Sequence, residues 1–379
     1  MDEAARRPTA FFLYRDSPLR RKALRLGAGA GERYSLYGLD ELAADGFGVQ
    51  HSLDSAHEPG LAARATGAAL HRGVDLLGGY SGDFRSVLAC RGALNRADVV
   101  FSTVDTVGIP LALLARAGVV RSPIVYAAIG LPERLERLGN RLARQFFASA
   151  YRQLEAIVAY GWGEVEALRA WLGDDGSKVV FVPFGVDTTY FAPQPDRAAE
   201  ADVVSIGTDP RRDFELLLRL AERLPERTFR IVASAEHARS FGTVPRNVAV
   251  ETDVAFSTVR DRLAGARVVV LPVRDNSYSG ATTVLLQGMA TGKPVVVSRT
   301  AAIARGYHLE DDVNCRLVRP GDLSALEHSV SSVLADSEHA AALGGRARET
   351  VERHLSWDRY TRAIGDLLLA ACGRTTVHA

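Results

Sequence analysis

Asn276-Ser-Tyr-Ser-Gly-Ala-Thr-Thr-Val-Leu-Leu-Gln-Gly-Met-Ala-Thr-Gly-Lys-Pro-Val-Val-Val-Ser298 is the stretch whose reading decides the fold. An apolar run, Val268-Val-Val-Leu-Pro-Val273, precedes it and reads as a strand buried on both faces. Small polar residues and Gly280 come next. Thr282 to Ala290 then has helical character, with Leu285 and Met289 four apart on one face. Gly292 ends the helix, and Pro294-Val-Val-Val297 opens another buried strand. Strand, small-residue loop, helix and strand in that order make a βαβ unit. Unpaired N–H groups and the positive end of a helix dipole meet at Gly280 to Thr283, which suits a phosphate. On its own, the joint fits a turn that binds nothing equally well.

The same alternation extends outward. Strands are expected at Thr9–Tyr14, Gly48–Ser52, Asp98–Ser102, Pro123–Ala128, Ala156–Ala159 and Lys178–Val182, with a weak one at Val74–Leu77. Helices are expected at Arg33–Ala44, Phe84–Asn95, Gly108–Ala117, Glu164–Leu172 and, as one long element, Pro132–Ala150. Arg15 to Gly31 reads as a loop. Pro183 to Asp196 interrupts the rhythm with three prolines. It then restarts with strands at Asp202–Ile206, Thr228–Ala233 and Val313–Val318. Helices are expected at Asp213–Glu222, Ser257–Ala264, Leu323–Ala335, 337–354 and 357–371. Alternation of this kind predicts an α/β protein of two doubly wound, Rossmann-like domains facing an interdomain cleft. The expected boundaries are 1–185, 186–355 and a closing helical segment, 356–379, returning to the first domain.

Composition narrows the class. The chain has 379 residues, 47% hydrophobic and 24% charged, with a net charge of +1. That is ordinary globular composition and offers no general basic field to nucleic acid. Only three lysines occur, Lys22, Lys178 and Lys293, among 46 basic residues, which points to a GC-rich bacterial genome. Cys90, Cys315 and Cys372 lie far apart with no CxxC pair, which argues against a disulfide framework and for a reducing cytoplasm. No secretory leader or membrane span is evident. Gly27-Ala-Gly-Ala-Gly31 has the wrong spacing for a dinucleotide fingerprint and lies too far past its strand. It reads as a mobile loop. The His residues are scattered; His308 lies just past the strand that Pro294-Val-Val-Val297 opens.

Three segments together resemble the retaining nucleotide-sugar glycosyltransferases of family four, which have the GT-B fold. Val180-Phe-Val-Pro-Phe-Gly-Val-Asp-Thr-Thr-Tyr-Phe-Ala-Pro193 is similar to that family's hinge pattern, with Gly185 and Asp187 at the hinge and Phe184 in place of Asn. Ser205-Ile-Gly-Thr-Asp-Pro-Arg-Arg-Asp213 is similar to its donor-phosphate loop, with Thr208 at the Arg position and Arg212 at the Lys position. The organising stretch resembles the family's E-x7-E block and G-K-P strand, and Asn314-Cys-Arg-Leu-Val-Arg-Pro-Gly-Asp322 resembles its N-G-x-L-V-x-P-G-D segment. Ser356-Trp357 before the last helix also fits. The likeness is good from about 155 to 371 and only an outline before that.

The resemblance implies a nucleoside-diphosphate sugar as co-substrate, no cofactor, no metal, and retention of configuration. A triplet D-x-D is absent, which fits a metal-independent reaction. Arg212, Gly280, Ala281, Thr282 and Thr283 are the expected donor-diphosphate residues, with Arg211 as a substitute for its neighbour. Gln287, Ser279 and Tyr278 are the expected nucleoside and sugar residues. The two Glu positions fall on Ser279 and Gln287, so ribose contact would be altered and sugar contact weakened; Tyr278 or Asp275 could compensate. Ile129 stands where the family often has a His, and no catalytic residue is assigned. Arg134, Arg137, Arg141 and Arg144 would share one face of the helix 132–150, beside Leu135, Leu138, Leu142 and Phe146. This face could meet an anionic membrane, although Glu133 and Glu136 interrupt the charge and favour a core-packed helix with solvated arginines. The reading is a cytoplasmic bacterial glycosyltransferase acting on a small-molecule or lipid acceptor, with a specialised natural product as one candidate. Its rivals are a non-catalytic nucleotide-sugar-binding protein, a lipid-glycosylating peripheral membrane enzyme, and another enzyme of the same fold.

Overall fold

A computed structural model describes residues 7–27, 31–138, 140–278 and 280–373. It divides into two compact units. The first comprises the chain up to Tyr160, Glu164–Val182 and the chain from Thr361 onward; the second comprises Gly161–Gly163 and Pro183–Tyr360.

The first unit holds strands β1 (Thr9–Leu13), β2 (Gly48–His51), β3 (Val99–Thr103), β4 (Ile124–Ala128), β5 (Ala156–Ala159) and β6 (Val179–Phe181). All pair in parallel, in the order β2-β1-β3-β4-β5-β6. β3, β4 and β5 are buried at every position, which is why they read as continuous apolar runs. The second unit holds β7 (Ala201–Gly207), β8 (Phe229–Ala233), β9 (Val248–Thr252), β10 (Ala266–Leu271), β11 (Val295–Ser298) and β12 (Arg316–Val318). These are also all parallel, in the order β12-β11-β10-β7-β8-β9.

Several local expectations are corrected. The segment 15–31 is not all loop: Pro18–Leu26 is a helix, opened by Ser17, whose hydroxyl accepts from the Arg20 N–H at 3.3 Å, with Pro18 in its first turn. Val74–Leu77 is not a strand. Val74 to Leu76 close the helix Leu61–Leu76, and only Val74 of the four is buried. Arg33–Ala44 is a 3-10 turn, Gly31–Leu36, and a short helix, Leu39–Ala44, separated by Tyr37 and Gly38 at positive φ. The edge strand β9 and the helix Ala235–Ser240 were not expected. β9 is anchored by Asn247, whose Nδ2 donates to the carbonyls of Ala221, Leu224 and Arg227 at 2.9–3.0 Å.

The long helix 132–150 is two helices, Leu131–Glu136 and Arg141–Tyr151. Asn140 caps the second, accepting from the Ala143 N–H at 2.7 Å. Arg144 reaches back to the Leu138 and Glu136 carbonyls at 3.2 and 3.3 Å, closing the first. The continuous arginine face is therefore lost. Leu135, Leu138 and Phe147 are core residues, while Leu142 is 78% exposed. No helix among the described residues is long and apolar enough to cross a membrane.

Glu164 in the first unit is fully buried. One carboxylate oxygen accepts from the Gly130 and Leu131 N–H groups at 2.8 and 3.3 Å, while the other has no partner among the described residues. Burial, with the nearby Asp105, pushes its pKa well above the ordinary 4.5. A carboxyl whose pKa is raised by folding favours the folded state below its unfolded pKa and loses that contribution as pH climbs toward the folded value. Glu164→Gln keeps an acceptor for the two N–H groups and cannot ionise. Its stability relative to the parent is expected to rise with pH above about 4.5, as read by urea midpoints between pH 4 and 8.

Candidate functional site

In the second sheet the chain runs outward from β7 to β9, then returns to the other side of β7 as β10. Strand order thus reverses between β7 and β10, and ligands of such sheets lodge beyond the carboxyl ends at that point. The two loops there, 208–213 and 272–281, are knitted together. Arg212 bridges Val273, the Asp213 N–H donates to the Pro272 carbonyl at 3.0 Å, and the Arg274 N–H donates to the Arg211 carbonyl at 2.9 Å.

The helix Thr282–Ala290 starts at this junction without a side-chain cap. The N–H groups of its first turn are left to solvent or a ligand. Gly280 is partly spent, since its N–H donates to the Tyr278 carbonyl at 2.8 Å. Ala281 and Thr283 are half-buried, and Thr282 is 2% exposed with an Oγ1 that has no partner among the described residues. Thr282 lines a narrow slot with Asn276, whose Oδ1 is also buried without a partner, and with Ser298, Thr300 and Ile303. Gln287 is buried one turn on, and its carboxamide makes no hydrogen bond to the described residues. Ser279 lies outside the described residues.

Arg212, expected at the diphosphate, is 3% exposed, and its guanidinium is held by the protein itself. Its Nη2 donates to Ser205 Oγ at 2.7 Å, Nη1 to the Ile206 carbonyl, and Nε to the Pro272 carbonyl at 3.4 Å, with Phe214 beneath the guanidinium at 5.3 Å. Burial pushes its pKa down to about 10, so it stays charged at neutral pH. The side chain ties β7 to the loop after β10. Arg212→Ala would leave those buried acceptors unmet, at a cost on the order of 3 kcal/mol, visible as a lower urea midpoint. The cations on the outer side of these loops are half-buried Arg211 and exposed Arg274.

Asp209 was missed. The Tyr278 hydroxyl donates to its two oxygens at 3.1 and 3.2 Å, and the Arg211 N–H to Oδ1 at 2.8 Å. A side-chain carbon at Gly280 would sit 2.8 Å from Oδ1, so the carboxylate lies against the glycine that opens the helix. Burial pushes its pKa upward. The signal in the sequence was Asp209-Pro210, a turn-forming pair whose Asp accepts from the backbone two residues on.

The remaining residues are placed away from this junction or support it. At the expected hinge, Val186 and Ser356 form an isolated bridge, and Gly185 packs where a Cβ would meet the Ser356 carbonyl at 2.7 Å. Asp187 accepts from the Thr189 and Tyr190 N–H groups at 2.9 and 2.8 Å. Phe184 stands on Tyr360 and Trp357 at 5.0 and 5.7 Å, which accounts for an aromatic residue there. His308 is exposed and stacks on His354 at 4.2 Å. Among the described residues no group of three or more His, Cys, Asp or Glu could hold a metal ion.

The family model described as "Glycosyl transferases group 1" matches residues 200–336, from the start of β7 through the helix Leu323–Ala335. Residues 200–336 are a group 1 glycosyl transferase domain. The group 1 domain thus holds the switch point, Asp209, Arg212, Thr282 and Gln287. Over 259 residues the chain is 25% identical to a GDP-mannose-dependent α-(1-6)-phosphatidylinositol monomannoside mannosyltransferase of Mycolicibacterium smegmatis, covering 62% of this chain and 64% of that protein's length. Among solved structures, sucrose-phosphate synthase from Thermosynechococcus elongatus superposes with a TM-score of 0.70 at 18% identity, covering 97% of this chain and 100% of that one. HepE of Anabaena in complex with UDP-glucose gives 0.68 at 14% identity, covering 96% and 99%. Together with two parallel six-stranded sheets, these likenesses give the chain the GT-B fold.

Proposed function

We propose that the protein is a metal-independent glycosyltransferase that takes a nucleoside-diphosphate sugar on its group 1 domain and an acceptor on its first unit. One observation carries the reading: within that domain, an uncapped helix start and the buried, unpartnered Thr282 hydroxyl converge at the switch point. Breaking the bond from sugar to diphosphate builds positive charge on the sugar ring and negative charge on the departing phosphate. Preorganised donors lower that barrier most when aimed at the growing charge. The N–H groups of Ala281, Thr282 and Thr283 and the Thr282 hydroxyl serve this role, with Arg211 and Arg274 adding positive charge. Gln287 takes the ribose, offering one acceptor and one donor where a carboxylate would only accept. The named relatives use GDP-mannose or carry UDP-glucose, which supports the donor class. Retention of configuration, a cytoplasmic location and a small-molecule or lipid acceptor belong to the same proposal.

A second reading is a nucleotide-sugar-binding protein without transfer, favoured by Ser279 and Gln287 at the two expected Glu positions. Calorimetry with UDP, GDP, ADP and TDP, without metal, tests the first reading. Tight binding of one nucleotide, followed by turnover of its sugar conjugates, supports transfer. Binding without turnover leaves the second reading, and no binding defeats both.

A further inference from the structure

The first sheet has its own switch point, between β1 and β3, and a cavity of about 450 Å³ opens there. We propose that this cavity binds a phosphate group, carried by the acceptor if the chain is the glycosyltransferase argued above.

Charge supports the assignment. Arg15, Arg20 and Arg134 line the cavity against a single carboxylate, Asp105. Three guanidiniums facing one carboxylate leave an excess of two positive charges, the complement of a phosphate monoester; a carboxylate ligand would meet only half of it. Arg20 is 8% exposed, yet no carboxylate among the described residues pairs with it. Its Nε donates to the Ser35 carbonyl at 3.1 Å and Nη1 to the Arg15 carbonyl at 2.7 Å, and Tyr14 and Tyr37 lie 5.6 and 5.7 Å away. The neighbouring acids are taken: Asp16 by Arg21 at 2.7 Å and Glu32 by Lys22 at 2.6 Å. A buried cation served by carbonyls, the Tyr37 hydroxyl and rings, with no carboxylate, is costly unless an anion joins it.

Three further groups converge on the same space. Ser35 lines the cavity, and its buried hydroxyl has no partner. Arg15 is exposed at the rim, and its side chain makes no hydrogen bond or ion pair with the described residues. Arg134 donates through Nε to Asp105 at 2.7 Å, and its guanidinium carbon sits over the Tyr80 ring, 4.1 Å from the centroid. Asp105 also accepts from the Tyr126 hydroxyl and the Ile129 N–H. Its charge is therefore shared inside the protein.

Titration of the full chain with inorganic phosphate, monitored by calorimetry, tests the site. Arg15→Ala and Arg20→Lys are each expected to weaken binding at least about tenfold. Arg91→Ala, an exposed arginine outside the cavity, is expected to leave it unchanged. Arg15 is exposed, so its variant keeps the test sound if the Arg20 variant misfolds. Phosphate binding indifferent to both arginines, or none, overturns the assignment. A failed donor reading shows instead as no nucleotide binding with the phosphate titration intact. Competition then identifies the source. Displacement of phosphate by glucose 6-phosphate supports a soluble phosphate ester. Displacement by phosphatidylcholine vesicles containing phosphatidylinositol, but not by plain ones, supports a lipid headgroup. Displacement by neither overturns the acceptor role.

Discussion

Thr282→Val is expected to fold as well as the parent and to transfer sugar about a hundredfold more slowly, the usual loss on removing one donor from a transition-state charge. Valine matches threonine in shape, so packing around this 2% exposed side chain is preserved. Because Oγ1 has no partner among the described residues, its burial contributes nothing to folding that valine would forfeit. Stability and rate should therefore separate: an unchanged or raised urea midpoint with a lowered kcat and weaker nucleotide binding. A purely structural threonine would give the opposite, a lower midpoint at an unchanged rate. An unchanged midpoint with an unchanged rate would assign the hydroxyl to hydration of the slot and move the phosphate seat elsewhere.

Asp209→Asn is expected to tighten nucleoside-diphosphate binding by at least about tenfold near neutral pH. The parent carboxylate lies against Gly280, beside the helix start proposed to receive the diphosphate, and like charges there oppose each other. Burial already raises its pKa, and a bound phosphate would raise it further. The sign is set by that shift: the protonated acid tolerates the ligand and the carboxylate repels it, so the parent should bind better as pH falls through the raised pKa. The ligand's own titration is common to both proteins and cancels in their ratio. That ratio, variant over parent affinity, should grow with pH. Weaker binding by the variant would mean that the carboxylate accepts a hydrogen bond from the donor's sugar, standing in for the Glu that the chain lacks.

Much of the fold was legible because buried parallel strands have little freedom in composition. Val99 to Phe101, Val268 to Leu271 and Val295 to Val297 are apolar on both faces and announce themselves. The helix Pro18–Leu26 did not, since PLRRKALRL has few apolar residues and its signal was the Ser17-Pro18 start. The break inside 132–150 was hidden by arginines and leucines that keep helical spacing across it; Asn140, a capping residue, was the clue. At the site, residue types were readable and directions were not. Arg212 stands at the spacing a clamp would need, but its side chain turns toward β7. Asp209 draws its meaning from Tyr278, 69 residues away, and Arg20 from carboxylates that bind other cations. Such pairings arise only on folding.

The division of the chain also governs the order in which it can fold during synthesis. The first unit needs the chain from Thr361 onward, where Thr361, Ile364 and Leu368 are buried and Gly365 packs near Leu42. Between Val182 and Thr361 the ribosome must make all of the second unit except Gly161–Gly163, roughly 10–35 s of elongation. During that interval the earlier segment lacks its closing helix, whose Ile364 and Leu368 are buried in the finished unit. The second unit, though later in sequence, is the first that can be completed. Protease digestion of chains arrested before and after Ala371 would reveal that inversion as protection gained by the early segment only at the end.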